Sequence, residues 1–207
     1  EGGYTPFEYA ITQYVTPGKT HRLTLWVEDR AIYNHDEYPA LVGKQGLEAP
    51  CGYTHTSGIW QDVILEGRTK TYLDFAHANP DIANSSVQFD IGVISDTAKD
   101  LTVKFGFVGK KWDEEQGVDI LNGSSFSGEQ AVKVDAGVTK ISLDPTAIAD
   151  QKLWDFDDAN LYYGTFELYD GETLLDSVGT YFGQREVTAD FYHEGNEYKY
   201  LMINGEI

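Results

Sequence analysis

Apolar residues alternate with polar ones along most of this chain, and that period of two restricts its fold more than any other feature. Successive side chains of a β-strand point to opposite faces, so alternation gives each strand one apolar face. The clearest runs are residues 23–27, 59–66, 87–93 and 101–107. Shorter runs follow at residues 132–134, 139–143, 162–168, 174–182 and 198–203. We therefore predict an all-β protein.

Helical signals are nearly absent. Asp144-Pro145 is compatible with one helical turn over residues 146–150, because proline is favoured at the first position of a helix. No longer segment shows the 3.6-residue period of an amphipathic helix. A single short turn is thus the only helical element that the sequence predicts.

The spacing of the strands predicts a boundary at Gly67-Arg68-Thr69-Lys70, where the run at residues 59–66 ends. From Thr71 to about Glu186, six or seven short strands follow one another, which is the size and rhythm of an immunoglobulin-like β-sandwich. The preceding region supplies only about three strands and one long irregular stretch, residues 30–56. We divide the chain into residues 1–67, 68–190 and 191–207.

Two dipeptides predict tight hairpin turns. Asp170-Gly171 separates the runs at residues 162–168 and 174–182, and Asn204-Gly205 follows the last run. Both dipeptides favour the two-residue turns that join antiparallel strands. A further strand should therefore follow Asn204-Gly205.

The chain is strongly acidic, with 15 basic against 34 acidic side chains and a formal net charge of −19. Such a charge repels nucleic acid and anionic membranes, so neither is expected as a partner. No apolar run approaches the roughly 20 residues of a membrane-spanning helix. Secreted, periplasmic and cytoplasmic locations all stay open.

Motifs for metal, cofactor or nucleophilic chemistry are missing from the sequence. Its histidines are scattered without a paired-ligand spacing, and Cys51 is the only cysteine. The segment Asp155–Asp158 is rich in carboxylates, yet its spacing does not fit a calcium-binding EF-hand loop. We predict no metal, no cofactor and no catalytic residue in this chain.

Three segments together resemble glycoside hydrolase family 2, the family of β-galactosidases, β-glucuronidases and β-mannosidases. The first reads Gly2-Gly3-Tyr4-Thr5-Pro6-Phe7, with Ile11-Thr12 and Pro17-Gly18 behind it. The second reads Thr56-Ser57-Gly58-Ile59-Trp60-Gln61-Asp62-Val63. The third begins at Leu153-Trp154, continues through Asn160-Leu161-Tyr162 and ends at Phe182-Gly183-Gln184-Arg185. Ile203-Asn204-Gly205 stands where the family has the strand that leads into its barrel.

The resemblance implies a fold for each region. Residues 1–67 would be the C-terminal part of a sugar-binding jelly roll, and residues 68–190 the immunoglobulin-like sandwich. Residues 191–207 would begin the hairpin that leads into a (β/α)8 barrel, which is absent from this chain. The family hydrolyses glycosides with two glutamates on that barrel. We therefore expect a non-catalytic fragment of an exo-acting retaining β-glycosidase, which scaffolds the barrel, shapes its substrate entrance and meets carbohydrate only through the parent enzyme.

The resemblance also suggests where substrate would be approached. In relatives, a jelly-roll loop leans over the barrel mouth; the polar candidates in the matching loop here are Lys44, Gln45, Tyr53 and His55. Trp60 could stack on a sugar ring, wedge between the two domains or fill a jelly-roll surface. Arg185 is expected to anchor the sandwich to the barrel through a bidentate carboxylate pair.

Two other functions remain open on the sequence alone. A stand-alone carbohydrate-binding module would need Trp26, Trp60 or Trp112 to face solvent together as a platform. A structural β-sandwich with no sugar role fits the strand pattern equally well. If residues 1–66 lack their partner strands, an apolar face built from Leu23, Leu25, Val27, Val63 and Leu65 needs a cover, which could be another copy of the chain, a swapped element or a reduced contact with the second domain.

Overall fold

The computed structural model describes residues 6–27, 58–190 and 199–206. The chain divides into two compact units, Glu1–Glu66 and Gly67–Ile207. Apart from one short 3-10 turn, the regular elements of the described residues are all β-strands. The predicted all-β fold class is therefore confirmed.

In the described part of the first unit, residues 6–27 and 58–66, the 3-10 turn Thr12–Tyr14 is the only regular element. The runs at residues 23–27 and 59–66 enter no strand ladder there. A strand is defined by hydrogen bonds to a neighbour, so alternation alone does not create one. Two of the residues expected on the apolar face are exposed, Leu25 at 51% and Leu65 at 82%. Self-association through this face stays a prediction.

The second unit contains ten strands among its described residues. In chain order, they are β1 (Tyr72–Asp81), β2 (Ser86–Ser95), β3 (Lys99–Asp113), β4 (Val118–Val134), β5 (Gly137–Ser142), β6 (Thr146–Ala147), β7 (Leu161–Asp170), β8 (Thr173–Phe182), β9 (Val187–Asp190) and β10 (Tyr200–Ile203).

These strands form three antiparallel sheets. One has the order β1-β2-β5, with β6 also paired to β2, and a second has the order β4-β3-β7-β8. Strands β9 and β10 form a separate two-stranded sheet. The two larger sheets share one hydrophobic core, which is the arrangement of a β-sandwich.

The core lies between the inner faces of the two larger sheets. Alternating apolar residues of the strands form this core. In β2, the residues Val87, Phe89, Ile91 and Val93 are each at most 1% exposed. Phe89 stands at the centre, with its ring centroid 5.0–5.7 Å from those of four other phenylalanines, Phe105, Phe107, Phe166 and Phe182. Alternation in the sequence therefore becomes a continuous aromatic layer in the fold.

The single helical turn predicted over residues 146–150 is wrong. Thr146 and Ala147 form β6 and pair with β2 instead. Ile148 then enters the core at 1% exposure, and its backbone N–H donates to the Ser85 carbonyl at 2.8 Å. Burying a large apolar side chain outweighs the weak local preference that proline gives for a helix start.

Candidate functional site

Trp154 lies where three segments of the second unit meet, and hydrogen bonds to its backbone hold its segment in place. Its N–H donates to the Gln184 carbonyl at 3.0 Å, and its own carbonyl accepts from the Asn204 side-chain amide at 3.0 Å. Gly183 packs directly on the indole, where an added Cβ would lie 3.0 Å from the Trp154 Cβ. Three segments that are distant in sequence therefore meet at one tryptophan.

Asn204 performs two tasks at this corner. With Gly205 it forms the predicted two-residue turn, since both have positive φ, 53° and 83°, and Ile203 and Glu206 exchange backbone hydrogen bonds across it. Its side-chain carbonyl also accepts from the Glu186 N–H at 3.0 Å. The turn prediction is thus confirmed. The hydrogen bond that connects this turn to the segment after β8 was not predicted from the sequence.

The side chain of Gln184 connects the segment after β8 to Ser86 and Gln151. Its side chain is fully buried, and its amide nitrogen donates to the Ser86 carbonyl at 3.0 Å and to the Gln151 side-chain oxygen at 3.2 Å. Buried polar groups are costly unless they are hydrogen-bonded. Both of these bonds come from Nε2, whereas the buried Gln184 Oε1 has no hydrogen-bond partner among the described residues.

Arg185 lies over the ring of Trp154, with its guanidinium carbon 4.4 Å from the ring centroid. This cation–π contact is worth about 0.5–1 kcal/mol at an exposed site. The side chain is exposed, and the guanidinium makes no ion pair or hydrogen bond with any residue that the structure describes. The predicted carboxylate partner for Arg185 therefore remains a proposal.

An open groove of about 520 Å³ begins beside this corner. It lies between the edge strands β1 and β8, which come together where the Leu73 N–H donates to the Asp176 carboxylate at 2.9 Å. Its lining includes Ala76, Ala78 and Phe182 together with the polar side chains of His77 and Thr180, and Trp154 and Arg185 also line it. The groove and the arginine thus form one continuous surface.

A polar network on the other side of Trp154 positions the segment before β7. Asn160, which is 2% exposed, donates from its side chain to the Leu153 carbonyl at 2.8 Å and accepts from the Asn122 amide. The Asp158 carboxylate forms an ion pair with Lys111. The hydrogen bond from Lys111, followed by that from Asn160, lowers the pKa of the Asp158 carboxyl below its ordinary value.

The Asp158 interaction predicts a dependence of stability on pH. A carboxyl whose pKa is lowered by folding stabilises the fold above its unfolded value, about 3.9, and loses that contribution as the pH falls through the folded value. We expect Asp158→Asn to lower the urea midpoint of the second unit at pH 7, and we expect this deficit to shrink as the pH falls below about 3.9.

The control is Asp157→Asn, because it removes the same charge one residue away and leaves the Lys111 contact intact. Its urea midpoint should stay close to the wild type at pH 7 and at pH 2. A deficit of Asp158→Asn that is the same at pH 7 and pH 2 would contradict the ionic explanation.

The substrate-side residues predicted from the sequence are only partly visible. Lys44, Gln45, Tyr53 and His55 lie outside the described residues. Trp60 is described in the first unit and is 69% exposed. The other two tryptophans proposed for a sugar platform are also exposed, Trp26 at 88% and Trp112 at 56%. Their exposure is compatible with stacking and leaves the role of Trp60 a prediction.

Residues 6–27, 58–190 and 199–206 contain no group of three histidine, cysteine, aspartate or glutamate side chains placed to hold a metal ion. In the acidic segment after Trp154, the Asp155 carboxylate accepts from the backbone N–H groups of Asp157 and Asp158 at 2.9 and 2.6 Å. This carboxylate therefore shapes its own turn. The described residues also include no helix long and apolar enough to cross a membrane.

Comparison with known proteins gives related chains that are much longer. A protein of Formosa agariphila named "Putative beta-glucuronidase" is 26% identical over 188 residues, which is 89% of this chain and 15% of that protein. The crystal structure of Bacteroides uniformis beta-glucuronidase matches with a TM-score of 0.54 at 19% identity, over 80% of this chain and 20% of that one. A glycosyl hydrolase family 2 member from Bacteroides cellulosilyticus matches with a TM-score of 0.49 at 15% identity, over 67% and 18%.

The chain thus spans about a fifth or less of the relatives it matches. The sequence model of glycosyl hydrolases family 2 matches residues 71–185. Those residues extend from the start of β1 to Arg185 and include both large sheets of the sandwich. Since this match covers 115 of the 207 residues, the chain belongs to glycosyl hydrolases family 2.

Proposed function

We propose that this chain is a non-catalytic part of an exo-acting retaining β-glycosidase, in which it scaffolds the catalytic barrel and shapes the substrate entrance. The observation that carries the proposal is the family match over the sandwich, in a chain that spans 15% and 20% of two relatives named as β-glucuronidases. Under this proposal carbohydrate is bound only through the complete enzyme.

The pKa shifts of carboxyl groups in the described residues favour a structural role over a catalytic one. A retaining glycosidase needs one carboxyl with a raised pKa as the acid and a second, ionised carboxylate as the nucleophile. The carboxyls with displaced pKa values here are Asp81, Asp90, Asp113 and Asp158, and each is lowered. For Asp90 the first cause is the hydrogen bond from Ser142, and for Asp113 it is the backbone N–H of Gln116. Such groups stay ionised and stabilise turns and sheet surfaces.

The proposal predicts that the purified chain hydrolyses no simple β-glycoside. We would incubate it with the p-nitrophenyl β-glycosides of glucuronic acid, galactose and mannose and follow p-nitrophenol by absorbance. A mock preparation from cells without the gene is the control. Release that exceeds the mock and rises in proportion to chain concentration would refute a non-catalytic role.

The gene provides a second, independent check. Reading the DNA on both sides of the codons for Glu1 and Ile207 should reveal a barrel-encoding region with two glutamates downstream. A complete gene without such a region would leave the chain in the family but remove the barrel that it is proposed to support.

A further inference from the structure

The sequence places a glycine directly after an asparagine at two positions, Asn122-Gly123 and Asn204-Gly205. In such a pair the backbone nitrogen of the glycine can attack the side-chain amide carbon of the asparagine, because glycine has no Cβ to hinder the approach. A C–N bond forms, the amide nitrogen leaves as ammonia with the proton of the glycine nitrogen, and a cyclic succinimide remains. Water then cleaves either C–N bond of the ring, which gives aspartate or isoaspartate.

The side chain of Asn204 is held at both ends in the folded chain. Its Nδ2 donates to the Trp154 carbonyl at 3.0 Å, and its Oδ1 accepts from the Glu186 N–H at 3.0 Å. These two hydrogen bonds fix the plane of the amide group, whereas attack by the Gly205 nitrogen requires that plane to reorient. Deamidation of Asn204 therefore requires the turn after β10 to leave the Trp154 corner.

The sheet that carries this turn is weakly supported. It consists of β9 and β10 alone, which share four residue pairs. All four residues of β9 are exposed, and so are Tyr200 and Leu201 of β10. A two-stranded sheet is only marginally stable by itself, and segments with few buried apolar contacts open at a low free-energy cost. We therefore expect Asn204 to be released without unfolding of the sandwich.

Asn122 is protected in a different way, because it belongs to the sandwich. Its Nδ2 donates to the side chain of Asn160, which is 2% exposed. Its carbonyl oxygen packs so closely on Gly109 that a Cβ added there would lie 2.1 Å from that oxygen. Strand β4 is paired with β3 on both sides of this residue. Release of Asn122 therefore requires two long, paired strands to separate.

We propose that Asn204 is a site of spontaneous deamidation, which is reached by local opening of the β9–β10 sheet and then releases that sheet from the sandwich. An aspartate has no N–H to donate, so its carboxylate would meet the Trp154 carbonyl oxygen as one acceptor against another. Isoaspartate also adds a methylene group to the main chain and disrupts the two-residue turn. The proposal does not depend on the proposed function.

The first test compares the two asparagines within one sample of the full 207-residue chain. The chain is kept in mildly alkaline buffer, folded or in concentrated urea, and digested with trypsin. Cleavage after Lys111, Lys133 and Lys199 puts Asn122 and Asn204 in separate peptides, each with no other asparagine. Mass spectrometry then detects the deamidated forms, and chromatography separates isoaspartate from aspartate.

In urea the two sites should be converted at similar rates, because neither keeps its contacts. In the folded chain Asn204 should react more slowly than in urea but about tenfold or more faster than Asn122, a ratio that corresponds to about 1.4 kcal/mol in opening free energy. Equal folded rates at the two sites would overturn the proposal, and so would no reaction at Asn204 while the urea sample is converted. A folded rate at Asn204 equal to its urea rate would overturn the protection by Trp154 and Glu186.

The second test measures the consequence of the reaction with Asn204→Asp, which has the side chain of one product. In a ¹⁵N-labelled chain, the amide hydrogens of β9 and β10 should exchange about tenfold or more faster than in the wild type, while those of β2 stay unchanged. Asn84→Asp is the matched control, since the Asn84 side-chain amide donates to Asp81 in an exposed turn of the sandwich. It makes the same change of charge and should leave β9 and β10 unaffected. Unchanged exchange in Asn204→Asp would overturn the release of the sheet.

Discussion

Replacing Phe89 with alanine should lower the free energy of unfolding of the second unit by about 3–5 kcal/mol. Phe89 is 1% exposed and touches rings from three other strands, β3, β7 and β8. Its removal eliminates apolar burial and also leaves a cavity that the surrounding rings cannot fully close. The effect is large because a domain of this size is stabilised by only about 5–15 kcal/mol.

Urea unfolding, followed through the NMR amide signals of β2, would measure the change in the second unit alone. Phe156→Ala is the matched control, because Phe156 is 77% exposed and its ring contact is with Trp154, at 5.7 Å between the ring centroids. It should cost less than about 1 kcal/mol. Similar losses in the two variants would mean that Phe89 is not the centre of the core.

The sequence predicted those strands whose inner faces are strongly apolar. The runs at residues 87–93 and 162–168 lie within β2 and β7, because their alternating residues fill the core. A hairpin turn is confirmed at this place, one residue later than predicted: Asp170 already pairs with Thr173, so the two loop residues are Gly171, with φ 59°, and Glu172. In these cases a local pattern and the tertiary structure require the same conformation.

Strand β4 is a case in which the alternation of apolar and polar residues does not predict the strand. Its first half, residues 118–127, includes exposed Val118 and Leu121 and shows no clean alternation. The segment is a strand because it pairs with β3 from Val118 opposite Asp113 onward. Backbone hydrogen bonds to a distant partner supply this stability, and they leave little trace in the side-chain sequence.

Single residues of the candidate site could be predicted from the sequence, but the contacts between them could not. Arg185 could be selected from the sequence, and Asn204-Gly205 could be recognised as a turn. The hydrogen bond from the Asn204 side chain to the Trp154 carbonyl joins residues 50 positions apart, so no local sequence pattern predicts it. The groove between β1 and β8 likewise exists only after the two sheets have packed.

Replacing Gly164 with alanine should destabilise the sandwich by about 1–3 kcal/mol. An added Cβ would lie 2.2 Å from the Gly106 carbonyl oxygen and 2.5 Å from the ring of Phe107. The oxygen belongs to the backbone of β3, which is hydrogen-bonded to β7, so it cannot rotate away. The variant therefore has to separate two central strands or displace a core ring.

Gly179→Ala provides the opposite case on the neighbouring strand. Gly179 lies in β8 opposite Thr165, and a Cβ added there meets no atom within 4 Å. Because alanine reduces the conformational entropy of the unfolded chain, this variant should gain about 0.4–1 kcal/mol. The two urea midpoints should therefore move in opposite directions. A shift of the same sign for both variants would show that strand propensity, and not the contact with Gly106 and Phe107, determines the response.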